Sequence, residues 1–163
     1  MAERTDILII GGGTAGLTAA IYAVRAGYSA LVLEKAVIGG QIVNTPHIEN
    51  YPAIGKISGY DFADQLRRQA GSLGARILAG EISSLELSGT PKRVQTDLGE
   101  IEAKAVIIAN GAHHRKLNVP GEDAFSGRGV SYCATCDGAF FRGKEVAIVG
   151  GGNTALQDAL FLA

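Results

Sequence analysis

The two cysteines of the sequence lie two residues apart, in the stretch CATCDG at residues 133–138. A Cys-x-x-Cys pair can close into a small disulfide ring, and local dipoles and charges readily stabilise its thiolates, so the spacing suits reversible electron transfer. Asp137 follows the second cysteine and is placed to handle protons, although Asp-Gly is also a common turn pair. Because half of a structural zinc site uses the same spacing, the motif alone leaves a metal role open.

A glycine-rich motif near the start of the chain is typical of phosphate-binding turns. Residues 11–16 read GGGTAG, and Gly11, Gly13 and Gly16 satisfy the pattern G-x-G-x-x-G. Such glycines permit a tight turn and bring a pyrophosphate close to a helix N-terminus, where unpaired N–H groups and the dipole favour anions. A second motif, GGGNTA at residues 150–155, follows the cysteines. One dithiol between two predicted nucleotide sites is a layout for electron transfer.

The residues around the first motif predict a βαβ unit. A β-branched run at residues 6–10 precedes the glycines, residues 17–26 favour a helix, and residues 30–33 favour a second strand. Glu34 ends that strand about 20 residues after the glycines, where a carboxylate can accept hydrogen bonds from ribose hydroxyls. The strand, the helix and the acid make the signal much more specific than the glycines alone.

The middle of the chain predicts a helix and then several short strands. Ser58 or Asp61 can cap a helix whose apolar side carries Phe62, Leu66, Ala70 and Leu73. Short alternating runs separated by glycines and a proline then predict a small antiparallel meander inserted into the α/β scaffold. These runs are residues 75–79, residues 82–87, residues 93–96 and a piece around Ile101.

Two further apolar runs predict buried parallel strands. Residues 105–109 form a continuous run that ends at Asn110 and Gly111, and the ends of such strands are where ligands bind. Residues 146–149 predict the strand of a second βαβ unit, with a helix from about Ala155.

Composition excludes several classes of protein. The chain has 15 Lys and Arg against 16 Asp and Glu, with no basic run, so neither nucleic acid nor a membrane surface is an expected partner. The polar N-terminus and the short apolar run at residues 7–10 fit neither a signal peptide nor a membrane span. Because both cysteines belong to one local motif and not to a disulfide framework, we expect a cytoplasmic protein.

The order of these motifs resembles the low-molecular-weight, bacterial-type thioredoxin reductases along essentially the whole chain. The matching segments are GGGTAG, Glu34, GGQ, ENYP, the strand ending at Gly111, CATCDG and VGGGNTALQDA. The position of CATCDG between two dinucleotide motifs is highly specific. The related glutathione and lipoamide type carries cysteines four apart near the first motif, where this chain has none.

The resemblance implies an α/β fold, a Rossmann-like FAD/NAD(P)-binding three-layer domain with the inserted antiparallel meander, incomplete at the C-terminus. It assigns residues 1–115 to the N-terminal segment of an FAD-binding domain. It assigns residues 116–163 to a linker, the redox cysteines and the start of a truncated NADPH-binding domain. It also implies a homodimer that passes electrons from NADPH through FAD and the disulfide to thioredoxin.

The resemblance also implies a role for each site residue. Cys136 is expected beside the flavin, Cys133 is expected to attack the disulfide of thioredoxin, and Asp137 is expected to supply protons. The residues expected to contact FAD are Gly11, Gly13, Thr14, Ala15, Gly16, Glu34, Lys35, Gly39, Gly40, Gln41, Asn50, Ala109 and Gly111. Those expected to contact NADPH are Gly150, Gly152, Asn153, Thr154 and Ala155.

Two alternatives stay open. One is that the chain is a catalytically incomplete FAD-binding fragment of such an enzyme, because the strand that would read the ribose of NADPH is missing. The other is a zinc-binding protein that uses Cys133, Cys136, His113 and His114 as its four ligands. Two adjacent histidines about twenty residues upstream of the cysteines do not follow a familiar ligand spacing.

Overall fold

The computed structural model describes residues 2–163, which divide into two compact units. The first unit contains the described residues up to His47 together with Ile57–Ala112. The second unit contains Ile48–Lys56 and His113–Ala163. Most of the regular structure lies in the first unit, and the cysteine pair lies in the second.

The first unit is built on a six-stranded sheet with the spatial order β3-β2-β1-β6-β5-β4. Its strands are β1 (Glu3–Ile10), β2 (Ala30–Glu34), β3 (Arg76–Ala79), β4 (Ile82–Glu86), β5 (Lys92–Thr96) and β6 (Gly99–Ile108). Strands β3, β2, β1 and β6 are mutually parallel, whereas β5 and β4 continue the sheet in antiparallel fashion. Helices α1 (Thr14–Arg25) and α2 (Gly59–Ser72) complete the unit, and the expected α/β fold class is confirmed.

The core lies on both faces of the central strands, because successive residues of a strand point to opposite faces. On one face, Ile9 and Val32 are fully buried in a cluster with Leu17 of α1 and Ala70 of α2. On the other face, the buried cluster contains Leu8, Leu31 and Leu33 of β1 and β2, with Val94, Ile101 and Ala103 of β5 and β6. Burial on both faces explains why β2 reads as a continuous apolar run. The run at residues 105–109 was also expected to be buried, and this is wrong, because Ile107 is 37% exposed and Ile108 is 59% exposed.

Helix α2 begins where the sequence indicated a cap. The Ser58 hydroxyl oxygen accepts a hydrogen bond from the Asp61 backbone N–H at 3.0 Å, so Ser58 is the capping residue. Phe62 and Ala70 are buried as expected from the apolar stripe. Leu73 was expected on the same stripe but follows the last helical residue and is 42% exposed.

Two predictions about the antiparallel meander are wrong, one at β6 and one at β3. The piece around Ile101 and the apolar run at residues 105–109 form one continuous strand, which pairs with β1 from Ile101 to Ile108. Lys104 interrupts the apolar pattern, but the pairing with β1 continues on both sides of it, and its exposed side chain forms an ion pair with Asp6 at 2.6 Å. The run at residues 75–79 is also not part of the meander, because β3 pairs with β2 in the parallel sheet.

The second unit contains short helices and one longer one. They are α3 (Glu122–Phe125), α4 (Ala134–Asp137), the 3₁₀ turn Gly138–Phe141 and α5 (Asn153–Leu162). Residues 146–149 were predicted to form a strand, and this is wrong for the described structure, in which they pair with no other segment. A parallel strand needs hydrogen-bonded neighbours, and the second unit has no strand among its described residues.

Within residues 2–163, no helix has both the length and the apolar character needed to cross a bilayer.

Alanine at Gly16 is expected to destabilise the protein, whereas alanine at Gly71 is expected to stabilise it. A Cβ at Gly16 would lie 1.8 Å from the carbonyl oxygen of Gly11, a backbone atom held in the sheet-to-helix turn. Overpacking of this kind typically costs about 1–3 kcal/mol of the free energy of unfolding. Gly71 lies inside α2 with open space around it, so alanine there adds up to about 1 kcal/mol.

Thermal unfolding followed by circular dichroism measures both variants against the native chain. Melting temperatures that move in the same direction in the two variants would contradict the prediction.

Candidate functional site

The two cysteines form a disulfide that brackets one turn of helix. Cys133 and Cys136 are bonded through their sulfurs, with their Cα atoms 5.3 Å apart. Helix α4 begins directly after Cys133, whose carbonyl oxygen accepts hydrogen bonds from the backbone N–H groups of Cys136 and Asp137, at 3.2 and 3.1 Å. Cys133 is half-buried and Cys136 is exposed.

A serine connects the acid of the motif to the first cysteine. The Ser131 hydroxyl donates to the Asp137 carboxylate at 2.6 Å, and the Ser131 oxygen accepts from the Cys133 backbone N–H at 3.1 Å. A hydroxyl has one proton, so donation to the carboxylate leaves its oxygen free to accept from the N–H group. The Asp137 carboxylate is thus linked through Ser131 to the backbone of Cys133.

The Asp-Gly pair lies in a helical segment and not in a glycine-dependent turn. Asp137 ends α4, and Gly138 has a right-handed helical backbone with φ −56° as the 3₁₀ turn begins. A Cβ at Gly138 would lie 2.8 Å from the Leu162 side chain. Close packing against α5, and not a left-handed conformation, therefore explains glycine at this position.

A cavity of about 660 Å³ in the second unit adjoins both of its motifs. From the redox segment it is lined by Ser131, Cys133 and Asp137. From the second glycine motif it is lined by Gly152 and Thr154. Part of the disulfide and the acid therefore share a concave surface with the predicted phosphate loop.

The three glycines of the first motif play three different structural parts. Gly11 has φ +105°, and a Cβ there would lie 2.3 Å from the carbonyl oxygen of Ala109, so only glycine permits this turn. Gly13 precedes α1, and a Cβ there would meet nothing closer than 3.7 Å, which leaves its surface open to a ligand. Gly16 packs against Gly11. A tight turn, an open backbone and close helix packing are what a pyrophosphate-binding motif requires.

The first turn of α1 and the loop after β2 lie together. Thr14 and Ala15 lie in that first turn, where the backbone N–H groups have no partners within the helix. Gly39 pairs with Gly13 as a parallel bridge, and its N–H donates to the Gly12 carbonyl at 2.7 Å. Gly40 follows, at the start of the 3₁₀ turn Gly40–Asn44. These residues form a polar backbone rim around the anion-favouring end of α1.

Glu34 ties the end of β2 to the same rim. Its carboxylate accepts one backbone N–H from Gly12 at 2.7 Å and another from Ala36 at 2.8 Å. Each oxygen accepts one hydrogen bond and keeps further lone-pair capacity, so both can also accept from the hydroxyls of a ribose. Lys35, the next residue, is exposed.

The remaining residues expected at FAD do not all belong to one unit. Gln41 donates from its side-chain amide to the carbonyl of Ala112, within the first unit. Ala109 continues the pairing beyond β6, because its N–H donates to the Ile10 carbonyl at 2.7 Å, and Gly111 has φ +68°. Asn50, in contrast, belongs to the second unit, where its amide lies 3.5 Å from the carbonyl of Thr135 between the two cysteines.

The second glycine motif repeats the helix-start geometry of the first. Gly150 has φ +126°, and Gly152 precedes α5 as Gly13 precedes α1. Asn153, Thr154 and Ala155 form the first turn of the helix. The glycine loop and the helix N-terminus expected of a phosphate site are therefore present, whereas the described residues before them form no strand.

Sequence reasoning missed a buried carboxylate near the cysteines. Glu122 is 5% exposed and accepts three hydrogen bonds, from the Leu117 and Asn118 backbone N–H groups and from the Tyr132 hydroxyl. The Tyr132 ring in turn stacks on His114, with ring centroids 3.5 Å apart. Neither Glu122 nor Ser131 carried a signal in the sequence, because both lie in polar stretches that read as loops.

The geometry offers little to a metal ion. The sulfurs of Cys133 and Cys136 are bonded to each other, and His114 is stacked on Tyr132. In the described part of the chain, no three His, Cys, Asp or Glu side chains are grouped so that they could hold a metal.

Comparison with known proteins gives a family and a set of close relatives. The family model described as pyridine nucleotide-disulphide oxidoreductase matches residues 5–163. The chain is 46% identical to the thioredoxin reductase of Streptomyces coelicolor, over 100% of this chain and 52% of that protein. It is 45% identical to the thioredoxin reductase of Bacillus subtilis, over 96% of this chain and 50% of that protein.

Solved structures give the same result. The thioredoxin reductase of Streptococcus pyogenes superposes with a TM-score of 0.92 at 44% identity, over 99% of this chain and 53% of that one. The chain spans about half the length of the relatives that it matches. With a family match that includes both glycine motifs and the disulfide, the chain belongs to the pyridine nucleotide-disulphide oxidoreductases.

Proposed function

We propose that this chain is part of an NADPH-dependent thioredoxin-disulfide reductase, a flavoprotein that passes electrons through the Cys133–Cys136 disulfide. The observation that carries the proposal is the disulfide itself, closed around one helical turn with a hydrogen-bonded acid at its end. Each glycine motif has a glycine with positive φ and another glycine directly before a helix, which supports nucleotide binding at both. The relatives named above are thioredoxin reductases, which supports thioredoxin as the protein substrate.

The first unit fits FAD. The pyrophosphate of FAD would lie at the N-terminus of α1, beside the open surface at Gly13. Thr14, Ala15 and Gly16 supply the backbone of that first helical turn. The carboxylate of Glu34 would bind the ribose. The other residues of this unit that would hold the cofactor are Lys35, Gly39, Gly40, Gln41, Ala109 and Gly111. When bound, FAD accepts a hydride from NADPH and delivers two electrons to a disulfide.

The residues of the second unit then handle the sulfur chemistry. Reduction of the disulfide breaks its S–S bond and needs two electrons and two protons. Cys136 is the sulfur proposed to face the flavin, and Cys133 is the thiol that attacks the disulfide of thioredoxin. Asp137 supplies a proton to the sulfur that leaves, and Ser131 holds the carboxyl group in place for that transfer.

NADPH is proposed to bind at the second motif. Gly150 and Gly152 open the backbone, and Asn153, Thr154 and Ala155 present the N-terminal N–H groups of α5 to its phosphates. We place the protein in the cytoplasm, on the grounds of its cysteine usage, and we propose that it acts as a homodimer.

A second function is favoured by one observation in the same unit. Residues 146–149 are not in a strand, so the second nucleotide motif has its loop and helix but no sheet beneath them. The alternative that rests on this feature is a catalytically incomplete FAD-binding part of such an enzyme, and the relatives support it less well than the reductase. The two functions differ in one step, the reduction of the flavin by NADPH.

The change Glu34→Gln is expected to weaken FAD binding at least about tenfold, because one backbone N–H now faces an amide N–H₂ and is left unsatisfied. Glu86→Gln is the matched control, since it removes the same charge from an exposed position on β4. Titration of the chain with FAD, followed by quenching of flavin fluorescence, measures both. Equal affinities in the two variants would contradict the assigned role of Glu34.

Electron transfer is tested anaerobically on the FAD-loaded chain, by adding NADPH and following both flavin absorbance and free thiols. The reductase proposal predicts that the flavin bleaches and that alkylation finds two new thiols per chain. The variants Cys133→Ser and Cys136→Ser, which cannot form the disulfide, are expected to show no gain of thiols.

The outcomes separate the two functions. The second function is supported if the flavin stays oxidised after NADPH is added, and if reduction of the flavin with dithionite then produces two thiols per chain. A chain that binds no FAD would count against both.

A further inference from the structure

The buried carboxylate of Glu122 joins two segments on the N-terminal side of the disulfide. Its oxygen Oε1 accepts from the Leu117 N–H at 2.8 Å and from the Tyr132 hydroxyl at 2.5 Å. Its oxygen Oε2 accepts from the Asn118 N–H at 2.6 Å. Glu122 therefore fixes the stretch at residues 117–118 and, through Tyr132, the residue directly before Cys133.

This contact is strong because the carboxylate is buried and both of its oxygens accept hydrogen bonds. A buried charge without partners is costly, whereas one with several charge-assisted hydrogen bonds is held firmly. The Tyr132 hydroxyl is the main reason that the pKa of Glu122 lies below its usual range. The same hydrogen bond raises the pKa of Tyr132 to about 12. At neutral pH the pair is thus an ionised carboxylate and a neutral phenol, which is the combination that makes the hydrogen bond.

Tyr132 is held from a second direction as well. Its ring lies flat against the His114 ring, with an angle of 18° between the planes. The next residue, Cys133, has its N–H bonded to Ser131 and its sulfur 3.4 Å from the Thr135 hydroxyl. The side chain before the cysteine and the backbone of the cysteine itself are therefore both restrained.

We propose that Glu122 and Tyr132 are positioning residues for the disulfide, which hold the Cys133 backbone where its sulfur reaches that of Cys136. The proposal rests on the proposed function, in which this disulfide is the redox centre. A restrained backbone lowers the entropy lost when two thiols close into a ring, and so favours the disulfide over the dithiol. Release of Tyr132 then makes the disulfide easier to reduce.

The test measures the thiol-disulfide equilibrium of the whole chain without any cofactor. The oxidised chain is equilibrated anaerobically in buffers of reduced and oxidised glutathione, quenched with acid and alkylated, and the mass shift gives the reduced fraction. Tyr132→Phe keeps the ring and its stacking on His114 but removes the hydroxyl. Glu122→Gln replaces one of the acceptor oxygens by an N–H₂ group that cannot accept.

The matched control is Asp123→Asn, which removes the same charge one residue away. The Asp123 side chain is 79% exposed and pairs with Lys116, not with Tyr132. We expect Tyr132→Phe and Glu122→Gln each to shift the equilibrium at least about threefold towards the dithiol, and the control to match the native chain. The double variant is expected to shift less than the sum of the two single variants, because both changes act on the one contact between Glu122 and Tyr132.

An unchanged equilibrium in Tyr132→Phe, with native circular dichroism, would overturn the proposal. So would an equal shift in Asp123→Asn, because charge alone would then be the cause. If Glu122→Gln does not fold, Tyr132→Phe decides by itself. A native chain whose disulfide fails to equilibrate at all would overturn this inference, whereas failure to bind FAD or oxidise NADPH would count only against the proposed function.

Discussion

The close contact between Gly16 of α1 and the carbonyl of Gly11 is the constraint on which the first unit depends. A side chain at Gly16 would not fit between the start of the helix and the end of β1, so glycine allows the helix N-terminus to pack directly against the sheet. Gly11 also lies close to the backbone of Ala109, just beyond β6, because a Cβ at Gly11 would be 2.3 Å from the Ala109 carbonyl oxygen. The ends of two parallel strands and the positive end of a helix therefore meet at one place, and Glu34 closes the rim from β2. The shape of the predicted cofactor site therefore depends mainly on close backbone packing, and the Glu34 side chain adds to it.

The redox segment is organised by a different principle, the satisfaction of polar groups. Helix α4 is only one turn long and buries little apolar surface, so its geometry depends on hydrogen bonds from its neighbours. Ser131 joins the backbone of Cys133 to the carboxylate of Asp137, and Glu122 holds the residue before the cysteine. No buried side-chain nitrogen or oxygen among the described residues lacks a partner. A short motif can thus hold a reactive group without a large core around it, because each polar group that it buries is bonded.

The errors of the sequence analysis have a common physical origin. Strand β6 was divided in two because Lys104 breaks its apolar pattern, and the backbone pairing that continues the strand past Lys104 comes from β1. The strand predicted at residues 146–149 has the right residues but no neighbour to pair with among those described. Both errors concern partners that are distant in sequence, and local periodicity carries no information about them.

The sequence by itself determined the glycine motifs, the cysteine pair, the first βαβ unit and the α/β class, because each depends on local spacing and on the conformational freedom of glycine. The helix cap at Ser58 and the carboxylate of Glu34 at the end of β2 could also be predicted from local spacing. Only the tertiary structure decided that Asn50 lies beside the cysteines and Gln41 beside Ala112, and that Glu122 is buried against Tyr132. These contacts join polar residues in loops, where no periodic pattern marks a side chain as buried, so their partners emerge only when the chain is folded.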